Sequence, residues 1–217
     1  IPKGTFFTEK HSYCPKCGQP LKWYDMVPVF SWIFLGGKCR NCKEKISARY
    51  PIVESLNAVL WTLSAYFIGL NANAFIYDAL FSALIVMTFI DIDTKEIPNG
   101  IVVFIIILSI PLFFTAKDVV WWHRLVGAVV ISVPLYVIAL VTGGIGGGDI
   151  KLYFALGLVL GLYPTLVSAF IAIVSAGLIG GVLLLTKKVR KGYELPLGPF
   201  IALGAVVTVF AGTPIID

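Results

Sequence analysis

Seven apolar runs fill the chain from about residue 51 onward, and they constrain its fold more than any other feature. They are Ile52–Leu70, Ala74–Ile90, Asn99–Phe114, Trp121–Val141, Ile150–Leu162, Thr165–Thr186 and Leu197–Phe210. A helix that crosses a bilayer needs about 20 apolar residues. The first, fourth and sixth runs meet that length alone. The second and third meet it only with their polar ends at the interface. The fifth and seventh are short, which suits helices buried in a bundle, tilted, or bordering a cavity. Charged residues make up 13% of the 217 positions and hydrophobic residues 58%. A soluble domain carries about 25% charged residues. A mean hydropathy of +0.91 agrees that the bilayer is this chain's solvent. The expected fold is an all-α polytopic membrane bundle of about seven transmembrane helices (51–217), preceded by a small polar segment (1–50).

Charge gives the expected orientation. The net charge is +5, and residues 1–50 hold nine of the seventeen Lys/Arg against three of the twelve acids. Lys187, Lys188, Arg190 and Lys191 form a second basic tract between apolar runs. Basic flanks of membrane spans lie on the cytosolic side. If residues 1–50 are cytosolic and each run crosses once, the linkers 91–98, 143–149 and 187–191 return to the cytosol. The opposite side then receives 71–73, 116–118 and 161–164, which carry a single lysine, Lys117. Residues 1–10 show no apolar core or cleavage pattern of a signal peptide.

The polar segment holds all four cysteines, as Cys14-Pro-Lys-Cys17 and Cys39-Arg-Asn-Cys42 with 21 residues between the pairs. Two C-x-x-C knuckles at this spacing read as a four-thiolate structural zinc site. A cytosolic setting argues against two disulfides. The ion would staple a segment too small and polar to fold alone. Trp23, Tyr24, Phe30 and Trp32 beside many Lys and Arg could suggest nucleic acid. In a segment tethered to a bilayer they are better read as a small core or an interfacial belt, so no nucleic-acid partner is expected.

Acids beside membrane spans are costly and usually functional. Glu54, Asp78, Asp91, Asp93 and Asp149 are the candidates. Asp91 closes the second run and Asp149 opens the fifth, behind Gly143-Gly144-Ile145-Gly146-Gly147-Gly148. The expected topology brings both to one membrane face. Two carboxylates held close do not both ionise easily and share a proton. One can then activate water while the other protonates a scissile carbonyl oxygen. Gly146 and Gly148 would let backbone and substrate approach closely. From spacing alone, helix capping is an equally good reading of Asp149. Asp93 and Glu96 read as solvated loop charges, Glu54 as a cap or partner near its helix start, and Asp78 as interfacial.

Taken together, these motifs resemble the type IV prepilin peptidases. The likeness covers nearly the whole chain: both C-x-x-C pairs, Ile46-Ser47-Ala48-Arg49-Tyr50-Pro51 with Val53-Glu54, Asp91 through Ile97-Pro98-Asn99, Gly146-Gly147-Gly148-Asp149 with Ile150-Lys151-Leu152, and Leu197-Gly198-Pro199-Phe200. The resemblance implies an intramembrane aspartyl endopeptidase that removes the basic leader from prepilins or pseudopilins at the cytosolic face of the bacterial inner membrane. Asp91 and Asp149 are its implied catalytic pair. It also implies S-adenosylmethionine-dependent N-methylation of the new terminus, tied to the cysteine-bearing segment. Family members begin with a further transmembrane helix, so the resemblance implies an eighth span ahead of Ile1. Two alternatives remain from the residues alone: an ion- or proton-coupled transporter using Asp91 and Asp149, and a non-enzymatic zinc-bearing assembly scaffold.

Overall fold

The computed structural model describes residues 13–14, 16–27, 29–116, 119–144, 146–187 and 195–212. The expectations for residues 1–10, Lys117, Lys188, Arg190 and Lys191 lie outside these. The chain divides into two compact units at Val59–Leu60.

In the first unit, a 3-10 turn (Trp23–Met26) and a one-turn helix α1 (Phe30–Phe34) separate the two cysteine knuckles. Trp32 is its anchor. The indole Nε1–H donates to the Ile46 carbonyl at 3.1 Å. Gly37 has φ +66, and a Cβ there would stand 2.8 Å from the same ring. Trp23 and Phe30 are exposed, so of the four aromatics Trp32 is the one that behaves as core. Arg40 binds Asp25 Oδ1 through Nε (2.9 Å) and Nη2 (2.8 Å). The Glu54 carboxylate accepts the Val29 N–H at 3.1 Å, which is the partner expected near the start of its helix.

The remaining helices follow the seven apolar runs: α2 (Arg49–Phe67), α3 (Ala72–Thr94), α4 (Asn99–Thr115), α5 (Trp121–Thr142), α6 (Gly147–Leu160), α7 (Leu162–Leu185) and α8 (Gly198–Gly212). Among the described residues, α3, α5 and α7 are long and apolar enough to cross a membrane alone. The second run qualifies with its polar ends included, as expected: its helix extends from the Asn71 cap, whose side chain accepts the Ala74 N–H, through Asp91 to Thr94. The expected set is corrected in one place. The first run does not qualify, because α2 carries Arg49, Glu54 and Asn57 among its apolar residues. α4 continues through Pro111 to Thr115.

The short helix α6 is the centre of the bundle. Its 14 residues rise about 21 Å, and Leu152, Tyr153 and Ala155 through Leu160 are all buried. This is the burial expected of the fifth run. Leu80, Phe81, Leu84, Met87, Ile105, Leu112, Leu152, Leu156, Val159 and Ile201 pack one continuous core. Backbones touch where side chains vanish. A Cβ on Gly157 would overlap Gly127 of α5, and one on Gly204 would overlap the Ser168 carbonyl of α7. Small residues permit such contacts between membrane helices, where dispersion must replace the hydrophobic effect. The outer faces of α5 and α7 are apolar, with Leu140, Val141, Phe170, Ile173 and Leu178 exposed. Only lipid solvates such a surface well. The fold is that of a multi-pass helical membrane protein.

Because α6 is short, it ends at Gly161 with last-turn carbonyls that lack helical partners. Arg124 of α5 reaches them. Its side chain is fully buried, and Nη1 donates to the carbonyls of Leu158 (3.2 Å) and Val159. Asp78 is also buried, close to Ser64 of α2.

Candidate catalytic and metal sites

Four helix ends gather around Asp91. It stands one turn from the C-terminus of α3, where Lys95 closes the helix in the left-handed conformation (φ 55) with its N–H on the Asp91 carbonyl at 2.8 Å. The chain then turns through Glu96-Ile97-Pro98 into α4. The N-termini of α6 and α8 complete the group.

Asp149 is the third residue of α6, held in its first turn by a backbone bond from its N–H to the Gly146 carbonyl at 3.1 Å. Two of the glycines before it lie in tight places. A Cβ on Gly146 would lie 3.2 Å from Asp149 Oδ2, and one on Gly148 only 3.0 Å from Ile97 Cβ. Gly148 thus seats the start of α6 directly on the turn that follows Asp91. Lys151 reinforces the junction, its Nζ donating to Asn99 Oδ1 at 3.1 Å.

This seating brings the sequence-predicted pair together. The carboxylates of Asp91 and Asp149 are close enough for the charge of one to act on the other. Asp91 is buried, 4% exposed, whereas Asp149 is half-buried. Tyr153, one turn along α6, is buried and within electrostatic reach of Asp149. Asp93 is exposed. It sits on the last turn of α3 rather than in a loop, because the helix runs three residues past Asp91, to Thr94, before Lys95 ends it. Glu96 is exposed, as expected.

Gly198 was visible only as part of a motif. Its N–H donates to Asp91 Oδ2 at 2.8 Å across 107 residues of chain. Arg124 and Asp78 were likewise legible only as polar residues in apolar runs.

In the first unit, the cysteine knuckles are built alike. Cys14 N–H bonds the Gln19 carbonyl (3.0 Å) and Cys39 N–H the Glu44 carbonyl (2.8 Å). Gly18 (φ 68) and Lys43 (φ 60) both turn in the left-handed conformation just after the second cysteine of each pair. All four are free thiols, and their sulfur atoms lie within 4.8 Å of one another. Cys14 and Cys42 Sγ are 3.8 Å apart. A tetrahedral ion with metal–sulfur bonds of about 2.3 Å has sulfur–sulfur edges of about 3.8 Å. The four thiols therefore fit a bound metal ion. Backbone N–H groups of Cys17 and Lys16 hold the Cys14 thiol below its usual range, and that of Gln19 does so for Cys17. The Glu44 N–H favours the Cys42 thiolate too, but burial and the three neighbouring sulfurs push that thiol up to about 11.

Fold and site define a class: a polytopic helical membrane protein with two carboxylates near one another at one end of its bundle and four thiols that could hold a metal ion. Residues 1–68 match the bacterial peptidase A24 N-terminal domain, and residues 79–181 match the type IV leader peptidase family. A prepilin leader peptidase/N-methyltransferase of Bacillus subtilis (strain 168) is 33% identical over 219 residues, covering 100% of this chain and 88% of the relative. Proteins of the same description from Burkholderia pseudomallei (strain 1026b) and Stutzerimonas stutzeri are 34% and 32% identical. They align with 94% of this chain in each case and with 68% and 73% of their own lengths. No solved structure matches the chain significantly. The chain belongs to the type IV leader peptidase family.

Proposed function

We propose that this protein is a membrane-embedded aspartyl endopeptidase that removes the leader from prepilins or pseudopilins and N-methylates the exposed terminus. The family match and the names of the relatives support both activities. The observation that carries the chemistry is the meeting of Asp91 and Asp149, from two helices 58 positions apart in sequence, at one end of the bundle. In the mechanism, the pair holds one proton and one water. The ionised carboxylate takes a proton from the water as oxygen attacks the scissile carbonyl. The protonated partner gives its proton to the carbonyl oxygen, and the tetrahedral intermediate then collapses with protonation of the leaving amine. No acyl-enzyme forms. Nothing in the family match or in the helical arrangement favours an ion carrier or a scaffold.

The finer assignments complete the proposal. Asp91 and Asp149 are the catalytic residues, and Gly146 and Gly148 shape the approach to them. Residues 1–50 form the metal-binding segment and 51–217 the protease domain. Cys14, Cys17, Cys39 and Cys42 hold a structural zinc ion; the fit of their sulfur spacing to a zinc tetrahedron supports that choice of metal. Methylation draws on S-adenosylmethionine. The protein lies in the bacterial inner membrane with the zinc segment and the aspartates on the cytosolic side, as the basic flanks suggest. Purified protein mixed with a panel of prepilins tests the reading: mass spectrometry should find one cut at the leader junction and a methyl group on the new terminus. Intact substrates across the panel would refute it.

A further inference from the structure

Asp91 is buried, and a buried carboxylate must be oriented by something if it is to work on one water. Its surroundings at the start of α8 are Leu197-Gly198-Pro199-Phe200. Pro199 has no N–H. The N–H groups of Phe200 and Ile201 are both bonded to the Leu197 carbonyl at 3.0 Å. The Gly198 N–H is therefore the donor this turn offers to a side chain, and it points to Asp91 Oδ2 at 2.8 Å. Helix starts leave such donors without internal partners, and their dipole favours a negative charge beside them.

The glycine is needed as well as its N–H. A Cβ on residue 198 would stand 2.7 Å from Asp91 Oδ2, 3.0 Å from its Cγ and 2.8 Å from Met87 Sδ. Met87 is fully buried in the core, so the sulfur has little room to yield. The carboxylate would have to leave its donor.

We propose that Gly198 is a positioning residue for cleavage: its N–H holds Oδ2 of Asp91, and its lack of a side chain lets that carboxylate reach the donor. With Oδ2 held by this N–H, the Asp91 carboxylate is fixed in one orientation for its work on water. The inference rests on Asp91 being half of the catalytic pair.

Cleavage kinetics and an amide resonance test it on the whole protein. Gly198→Ala should keep substrate affinity, with KM within about twofold of wild type, while kcat falls roughly 10- to 100-fold, the cost expected of a misplaced catalytic group. Gly177→Ala, on α7 where a Cβ meets open space, should retain wild-type kcat. In protein labelled with 15N-glycine, the Gly198 amide proton should move with pH as the pair titrates. It should shift upfield and lose that dependence in Asp91→Asn, since a bond to a charged acceptor is the stronger one. That measurement needs no change at residue 198 and stands even if Gly198→Ala does not fold. A folded Gly198→Ala enzyme with kcat within about threefold of wild type, alongside an inactive Asp91→Asn, would overturn this inference alone. So would an unchanged Gly198 resonance in Asp91→Asn. An active, folded Asp91→Asn enzyme would instead overturn the catalytic assignment beneath it.

Discussion

Gly148 lies tightly against Ile97: a Cβ on the glycine would stand 3.0 Å from Ile97 Cβ and 3.3 Å from its Cγ1. One residue later comes Asp149; six residues before Ile97 is Asp91. The contact seats the start of α6 on the turn after α3. Gly148→Val should therefore reduce cleavage strongly while the protein still folds. Gly148→Ala should cost less, and combining it with Ile97→Gly, which removes the Cβ it meets, should recover part of that loss, because neighbours that share one space are not additive. Kinetics on the four variants checks this; additive losses would show that the contact does not govern the site.

The cysteine centre should hold one zinc ion per chain. Elemental analysis of freshly purified protein would show it, and replacing any one of the four cysteines by serine should remove it. Thiolates are the ligands, so protons compete with the metal. The Cys14 and Cys17 thiols already lie low, but Cys42 is raised to about 11, so zinc must displace its proton at neutral pH. Affinity should accordingly fall as pH falls, with proton release on zinc addition measurable by calorimetry in buffers of different ionisation enthalpy.

Arg124 caps α6 from inside the bundle. Removing it leaves the Leu158 and Val159 carbonyls buried without that partner, a loss of about 1–3 kcal/mol. Arg124→Ala should lower the melting temperature in detergent, and Arg124→Lys, which keeps a donor, should lower it less. A melting temperature unchanged in Arg124→Ala would show that the cap contributes little.

Both ends of α3 are open to a topology test. A cysteine at Thr94 should react with a membrane-impermeant reagent only from the cytosolic side, and one at Ala72 only from the opposite side. Labelling of both from one side would break the one-crossing arrangement of α3.

Much of this molecule was legible because membrane folding is governed by hydrophobic length. Each apolar run became one helix, and the glycine-rich linker and the Asp91 segment came to one end because the runs between them alternate direction. The paired cysteines were legible from spacing, since a knuckle closes locally. What escaped were contacts that depend on tertiary placement. The capping role of Arg124 exists only because α6 ends early, at a depth no linear pattern reveals. Gly198 meets Asp91 through a bond spanning 107 residues. That Asp78 is covered by neighbours such as Ser64 could not be read from its distance to the helix start.

The central claim is that Asp91 and Asp149 act as one acid–base pair, and Asp93 lies outside it. The most direct measurement is single-turnover cleavage of a prepilin by Asp91→Asn, Asp149→Asn and Asp93→Asn, with folding verified by metal content and detergent stability. Asparagine can neither take nor give the required proton, so the first two should lose nearly all activity, a fall of about 10³-fold or more. The exposed Asp93→Asn should stay within about threefold of wild type. Full cleavage by a folded Asp91→Asn or Asp149→Asn protein would contradict the account.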